Sequence, residues 1–98
     1  MIYARWFSEL IQNNSYNVYR IYKDNKQIGS VEFYQEERYI ENIYLDEKCR
    51  GKGYLRKILN YFGKPLTCLP LPQHIDKFKH LGFIPYKNID QDVYYILK

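Results

Sequence analysis

The sequence has little cysteine, glycine and proline, and it lacks a long apolar run. Two Cys among 98 residues are too few for a disulfide framework, and the five Gly and four Pro form no linker that divides the chain. No apolar stretch reaches the roughly 18 residues of a membrane-spanning helix, so no membrane partner is expected. Residues 1–14 carry Arg5 and Glu9 among apolar positions, unlike a signal peptide. We therefore expect a cytoplasmic protein with reduced thiols.

The chain does contain enough apolar residues for one core, together with a mild excess of positive charge. Hydrophobic residues make up 46% of the sequence, and twelve residues are tyrosines. Fifteen Lys and Arg against eleven Asp and Glu give a net charge of +4. This charge permits a nucleic-acid partner without requiring one. The length predicts a single domain that spans residues 1–98.

Three segments rich in strand-forming residues follow one another in the first half of the chain. They are Asn17–Lys23, Ile28–Tyr34 and Arg38–Leu45. Their Val, Ile and Tyr content, their alternation and the short polar turns between them predict an antiparallel meander. Before them, Met1–Phe7 is compatible with a strand, and Ser8 could cap a short helical turn through Asn13.

The second half of the chain alternates helices and strands. Gly53–Phe62 repeats apolar residues at i, i+3, i+4 and i+7, which predicts a helix. The later predicted elements are a strand at Leu66–Leu69, a helix from Pro72 to about Leu81, and strands at Phe83–Tyr86 and Asp92–Leu97. The order is an antiparallel meander followed by β-α-β-α-β-β. It predicts an α/β (α+β) fold with a mixed sheet of about six strands, in which strands 38–45 and 66–69 are parallel.

The segment Leu45–Leu55 (LDEKCRGKGYL) joins a strand to a helix through a basic loop with two glycines. The first N–H groups of a helix have no intrahelical partner and carry partial positive charge. Glycines let the backbone approach an anion closely. The loop and the first helical turns also carry five cations: Lys48, Arg50, Lys52, Arg56 and Lys57. Together these features are typical of a phosphate-binding site.

Three phrases of the sequence resemble the GNAT superfamily of N-acetyltransferases. They are Asn42-Ile43-Tyr44-Leu45-Asp46-Glu47, Arg50-Gly51-Lys52-Gly53-Tyr54-Leu55 and Lys77-Phe78-Lys79-His80-Leu81-Gly82-Phe83. The second phrase is similar to the family's Q/R-x-x-G-x-G/A motif, and the third to its F-Y-x-K-x-G-F phrase. The resemblance covers about residues 16–97 and includes the order of the elements.

The resemblance implies an acyl-CoA-dependent N-acyltransferase that moves acetyl from acetyl-CoA to an amine by direct attack, without a metal. Backbone N–H groups from Arg50 to Leu55 would hold the pyrophosphate. The backbone of Ile43, Tyr44 and Leu45 would pair with the pantetheine arm. The implied cosubstrate-binding residues are Ile43, Tyr44, Leu45, Arg50, Gly51, Lys52, Gly53, Tyr54 and Leu55. The thioester would lie where strands 38–45 and 66–69 splay apart.

Catalysis requires a base for the acceptor ammonium and a proton donor for the leaving thiolate. Glu41 lies on the strand before the loop, and we expect it to be the base or to orient a water molecule. Strand alternation would put Glu41 on one face with Tyr39, Ile43 and Leu45. The usual tyrosine acid aligns with Phe78, which has no proton to donate. Tyr86 is the candidate acid, and the alternatives are Tyr94 and Cys68.

The sequence says less about the acceptor than about the cosubstrate. Only about 16 residues precede the meander, where the family normally has two helices that wall the acceptor site. The acceptor could be a small molecule or a protein amine, and a homodimer could cover a bare sheet edge. The alternative function is an inactive GNAT-like binding module for nucleic acid or a protein. The strand tyrosines fit sheet packing, or else an exposed aromatic platform.

Overall fold

Among the described residues, seven strands form one sheet, and the helices lie between strands in the second half of the chain. The computed structural model describes the backbone of residues 2–11 and 14–98 and the side chains of residues 17–98. The strands are β1 Ile2–Ile11, β2 Asn14–Lys23, β3 Lys26–Tyr34, β4 Tyr39–Leu45, β5 Leu66–Cys68, β6 Ile84–Ile89 and β7 Asp92–Leu97. The helices are α1 Tyr54–Phe62 and α2 Ile75–His80, with short 3₁₀ helices at Glu47–Cys49 and Pro72–His74.

The strands lie in the order β1-β2-β3-β4-β5-β7-β6 across the sheet. Strands β1 to β4 are antiparallel neighbours, whereas β4 and β5 are parallel. Strand β7 is antiparallel to both β5 and β6. Helix α1 carries the chain from β4 to β5, as a parallel pair requires. The predicted mixed α+β fold with its antiparallel meander is confirmed.

The first strand corrects one expectation. Strand β1 pairs with β2 along its whole length, from Ile2 opposite Lys23 to Ile11 opposite Asn14. The helical turn expected from Ser8 is therefore wrong, and Asn13, where it was expected to end, lies outside the described residues. A strand ladder gives each residue a hydrogen-bonded neighbour, whereas one isolated helical turn orders several residues for a single bond.

One face of the sheet carries the core. The strand register sets Tyr19, Val31 and Ile43 side by side on β2, β3 and β4. Ile58 and Leu59 of helix α1 belong to the same buried cluster. Helix α2 contributes one fully packed residue to that cluster, Phe78.

The other face is partly open and rich in tyrosine. Tyr34 lies opposite Tyr39 across β3 and β4, and Tyr39 lies opposite Thr67 on β5. Each of these strands alternates, so their buried neighbours point to the core face. The aromatic side chains here are only partly buried. The tyrosines are thus divided between core packing, as at Tyr19 and Tyr95, and an accessible surface.

Candidate functional site

Strand β4 loses one of its two neighbouring strands halfway along its length. It pairs with β5 at only two positions, Tyr39 with Thr67 and Ile40 with Cys68. After Cys68 the sequence is Leu-Pro-Leu-Pro, and proline has no N–H to donate to a ladder. The expected splay is therefore present. We call the gap between residues 41–45 of β4 and the chain after β5 the β4–β5 wedge.

A β-bulge lies where the wedge begins. Glu32 on β3 pairs with Asn42, and Phe33 pairs with Ile40, so Glu41 is an extra residue in β4. An extra residue shifts the alternation of side chains by one position. Bulges are frequent beside active sites because they redirect side chains.

The bulge corrects the expected face of Glu41. Ile40 is 3% exposed in the core, and both Ile43 and Leu45 pack against the core cluster. Glu41 is exposed on the other face, where Tyr39 also lies. The expectation that Glu41 shares a face with Ile43 and Leu45 is wrong, because strict alternation ends at the bulge. Its expected common face with Tyr39 holds.

The backbone of Ile43 and Leu45 faces the wedge. The Asp46 N–H donates a 2.7 Å hydrogen bond to the Ile28 carbonyl of β3. Backbone groups point alternately to either side along a strand, so those of Leu45 and Ile43 point away from β3. The backbone groups of Tyr44 point towards β3. The expectation that the Tyr44 backbone would pair with a ligand in the wedge is therefore wrong. Its side chain is 50% exposed.

Arg50 fixes the start of the basic loop. Its N–H donates to the Glu47 carbonyl at 3.2 Å, and its Nε donates to the Leu45 carbonyl at 2.8 Å. Its guanidinium carbon lies 5.7 Å from the ring centroid of Tyr44. Since the Arg50 N–H already has a protein partner, the backbone cradle expected from Arg50 onwards begins at Gly51.

The two loop glycines adopt a backbone conformation that other residues rarely take. Gly51 has a φ of 76° and Gly53 a φ of 80°, in the left-handed region that favours glycine. A Cβ at either position would meet no atom within 4 Å, so the loop surface is open there. Gly53 precedes helix α1 and offers no side-chain cap. The first N–H groups of α1 therefore start at an open surface, as anion binding requires.

A groove of about 270 Å³ follows this loop, and we call it the loop groove. Its lining residues are Ile43, Tyr44, Leu45, Arg50, Gly51, Gly53, Tyr54, Leu55, His74 and Lys77. The structure thus brings together eight of the nine residues that the sequence indicated for the cosubstrate. The ninth, Lys52, is exposed and lies outside the lining.

The sequence reading missed two residues of the loop groove, His74 and Lys77. Both come from the start of the α2 region, more than 20 residues after the loop, and both are exposed. Lys77 belongs to the phrase that ends at Phe83, but its spacing did not indicate that it lines the same groove as Arg50. Together Lys77 and Arg50 give the groove two cations from separate elements.

A second groove of about 340 Å³ lies on the open face, and we call it the tyrosine groove. Its lining residues are Tyr34, Glu37, Tyr39, Glu41, Thr67, Tyr86, Lys87 and Tyr94. Both catalytic candidates from the sequence, Glu41 and Tyr86, lie in it. Glu41 is two residues from Ile43 of the loop groove, so both grooves draw on the part of β4 that follows the last pair with β5.

Tyr39 is a partly buried residue of this groove, and Glu41 lines the same groove. Burial, and after it the charge of Glu41, raises the pKa of Tyr39 to about 12. The phenol therefore stays protonated at neutral pH. Its ring is 6.2 Å from that of Tyr34 and 6.3 Å from that of Tyr94, measured between centroids. The sequence indicated Tyr39 as a face neighbour of Glu41, near the position at which some members of the family carry their glutamate.

Cys68 and Phe78 belong to the core rather than to a groove. Cys68 is 3% exposed, and burial raises the pKa of its thiol to about 12. Cys68 is therefore no longer an alternative to Tyr86 as the proton donor. Phe78 is 7% exposed and packs edge-on against Phe83, with ring centroids 5.2 Å apart.

Residues 2–62 match a family model. The chain matches the acetyltransferase (GNAT) family over residues 2–62, more than half of its length. The chain belongs to the GNAT family. The resemblance seen in the sequence, and the expectation of an N-acetyltransferase, are confirmed at the level of this family. Comparison with curated proteins gives no sequence match.

Solved structures of other GNAT proteins have a similar fold. The Bacillus subtilis N-acetyltransferase YlbP in complex with coenzyme A has a TM-score of 0.64 and 15% identity, over 86% of this chain and 68% of that one. Campylobacter jejuni PseH in complex with acetyl coenzyme A has a TM-score of 0.60 and 20% identity, over 89% of this chain and 70% of that one. Tetrahymena GCN5 has a TM-score of 0.59 and 19% identity, over 83% of this chain and 66% of that one. The GNAT domain here thus spans about two thirds of each of these chains.

Two further features are absent from the described residues. No helix among them is long and apolar enough to cross a membrane. No three His, Cys, Asp or Glu side chains in that part of the chain come together as a metal-binding group.

Proposed function

We propose that this GNAT domain is an acyl-CoA-dependent N-acyltransferase that transfers acetyl from acetyl-CoA to an amine. The observation that carries the proposal is that one strand, β4, lines both a basic loop groove and a carboxylate-bearing tyrosine groove, on either side of the point where its pairing with β5 ends. One groove suits a phosphate-bearing cosubstrate, and the other suits an amine. YlbP and PseH, which have similar folds, were solved with coenzyme A and acetyl coenzyme A.

The loop groove has the donors that a pyrophosphate needs. The open backbone at Gly51 and Gly53 and the start of helix α1 supply N–H groups, and Arg50 and Lys77 supply positive charge. Each hydrogen bond of this kind to a charged group contributes about 1.5–3 kcal/mol. In this proposal the backbone of Ile43 holds the amide-bearing arm along the wedge.

Glu41 is the proposed base. An aliphatic amine has a pKa of about 10.4, so at neutral pH it arrives protonated and cannot attack. The exposed Glu41 carboxylate lies at the opening of the wedge and accepts that proton directly or through a water molecule. Acyl-CoA supplies the thioester, whose carbonyl carbon the free amine attacks to give an amide and a thiol.

Tyr86 is the proposed proton donor for the leaving thiolate. It is 41% exposed and lines the tyrosine groove with Glu41. Tyr94 lines the same groove and remains the alternative. We also propose a cytoplasmic setting, which the two free cysteines, Cys49 and Cys68, support.

Calorimetry with acetyl-CoA tests the proposal most directly, together with chromatographic measurement of coenzyme A released in the presence of an amine. We expect saturable binding that coenzyme A competes for, and release of coenzyme A that depends on the amine. Absence of both binding and release at millimolar ligand would overturn the proposal.

A second candidate function is a binding module without catalysis. The observation in its favour is the buried Phe78 at the position that aligns with the family's tyrosine acid. If the basic loop binds nucleic acid instead, a gel shift should weaken steeply as salt rises. Acetyl-CoA should then fail to compete.

A further inference from the structure

We propose that the tyrosine groove selects an acceptor with a second positive charge besides the reacting amine, and that Lys87 occupies the position of that second charge in the free protein. This inference rests on the proposed function, because it names the acceptor class for the same site. The observation behind it is that the Lys87 ammonium lies within cation–π distance of two tyrosine rings of this groove.

Lys87 makes two cation–π contacts inside the groove. Its Nζ atom lies 5.4 Å from the ring centroid of Tyr86 and 5.5 Å from that of Tyr94. Both distances are within the roughly 6 Å at which an aromatic face attracts a cation. The exposed Lys87 side chain thus places its alkylammonium group, the kind of group that a cationic acceptor carries, next to two rings of the groove.

The rings extend beyond the two that Lys87 touches. Tyr39 lies beside Tyr94, and Tyr34 lies beside Tyr39, with centroids 6.3 and 6.2 Å apart. The three rings form a row from β7 across to β3. They leave room for a cation besides Lys87, or in place of it, within a groove of about 340 Å³.

The charges of the lining favour a cation. Glu37 and Glu41 are the carboxylates of the lining, and Lys87 is its ammonium. When the Lys87 side chain swings out, the lining keeps two carboxylates and no positively charged residue. A cationic ligand can restore that balance, whereas a neutral ligand of the same shape cannot.

The reacting amine and the charged group must be different groups. A site that stabilises an ammonium among aromatic rings holds the proton on it, and a protonated amine is not a nucleophile. The reacting amine therefore belongs beside Glu41, where the wedge opens. Tyr39 precedes Glu41 by two residues, roughly 7 Å along a strand. An aliphatic diamine with a short spacer fits this separation.

The first experiment measures binding without turnover. Choline and 3,3-dimethyl-1-butanol have the same shape and differ in charge, and NMR shifts of the groove tyrosines report their binding. We expect choline to bind at least about 3-fold more tightly, the size of one exposed cation–π contact. Equal affinity for the two probes would overturn the inference, whatever the activity of the protein.

The second experiment uses variants of the groove. Lys87→Met should raise the affinity for choline about 3- to 10-fold, because the competing ammonium is gone. Tyr94→Leu should lower it, and Tyr94→Phe should keep it, since phenylalanine retains the ring face. Lys64→Met, at an exposed position outside both grooves, is the control. An unchanged choline affinity in Lys87→Met would overturn the role of Lys87.

The third experiment measures the acceptor preference itself. We expect kcat/KM for 1,5-diaminopentane to exceed that for 5-amino-1-pentanol by about 10-fold, with a larger ratio in Lys87→Met. Turnover of both amines at equal kcat/KM would overturn the inference and leave the proposed function standing. Choline selectivity in a protein that neither binds acetyl-CoA nor turns over an amine would overturn the proposed function alone.

Discussion

Arg38 caps the end of helix α1: its Nη2 atom donates a 2.6 Å hydrogen bond to the carbonyl oxygen of Phe62. The same guanidinium reaches the Gly63 carbonyl at 3.0 Å and the Pro65 carbonyl at 3.1 Å. The Arg38 carbonyl in turn accepts the Thr67 N–H at 2.8 Å. One residue thus joins the start of β4 to the end of α1 and to β5, at the closed end of the wedge.

Replacing Arg38 should destabilise the fold. Arg38→Ala removes three hydrogen bonds from a charged group to carbonyl oxygens at the end of the helix. We expect the free energy of unfolding to fall by about 2 kcal/mol. The loss in Arg38→Lys should be smaller than in Arg38→Ala but still measurable, because lysine keeps the charge and lacks the planar fork. Chemical denaturation measures the loss. Arg56→Ala, which removes one exposed 3.4 Å bond to His80, is the control, and equal losses would contradict the assigned role.

The loop groove should bind acetyl-CoA more weakly when a side chain is introduced at its open glycine backbone. Gly53→Val puts a branched side chain at a φ of 80°, a conformation that such residues disfavour. Combined with Arg50→Ala, it should weaken acetyl-CoA binding by at least about 100-fold, since a charge-assisted contact and the backbone cradle are both lost. Calorimetry measures the affinity, and a melting curve checks the fold. Lys64→Ala should bind as the parent protein does, and normal binding by the double variant would refute the site.

Glu41→Gln should separate catalysis from cosubstrate binding. The amide keeps the shape of the side chain but cannot accept a proton from an ammonium. We expect kcat to fall about 100-fold or more while acetyl-CoA affinity stays within about 2-fold. Glu36→Gln, an exposed carboxylate outside the groove lining, is the matched control. A pH–rate profile that does not change in Glu41→Gln would exclude Glu41 as the base.

The two cysteines should differ in reactivity. Cys68 is 3% exposed with its pKa raised to about 12, whereas Cys49 is partly exposed beside the basic loop. At pH 8 we expect iodoacetamide to label one thiol in the folded protein and two in denaturant, as read by mass spectrometry. Cys49→Ser should then show no label when folded. Labelling of Cys68 at the rate of Cys49 would contradict its place in the core.

Stability should fall at alkaline pH. The folded state raises the pKa of Cys68 from 9.0, and that of Tyr39 from 10.0, to about 12 in each case. Above the unfolded pKa the unfolded chain releases protons that the folded chain keeps, so these contributions are complete below about pH 9 and decline towards pH 12. Denaturation at several pH values measures the slope. Cys68→Ala should flatten it between pH 9 and 10, and an unchanged slope there would contradict the shift.

The basic loop and the order of elements could be predicted from local sequence. The spacing of apolar residues in Gly53–Phe62 and the alternation of the meander depend on neighbouring residues. The glycines at 51 and 53 predict an open turn before a helix. Those predictions agree with the structure. The sequence predicted a β1 that ends at Phe7, because serine is a favourable residue at the start of a helix. The longer β1 depends on its pairing with β2, which the local sequence around Ser8 does not encode.

The sequence by itself determined the meander, the helix after the basic loop and the two glycines that open this loop, since each follows from the spacing of residues close together in the chain. Tertiary structure alone decided which side chains share the site. A bulge opposite Glu32 and Phe33 turned Glu41 away from Ile43 and into the tyrosine groove. The parallel pairing of β4 with β5 stopped after two residues and opened the wedge. Register and strand separation arise from contacts between remote segments, and no local period encodes them.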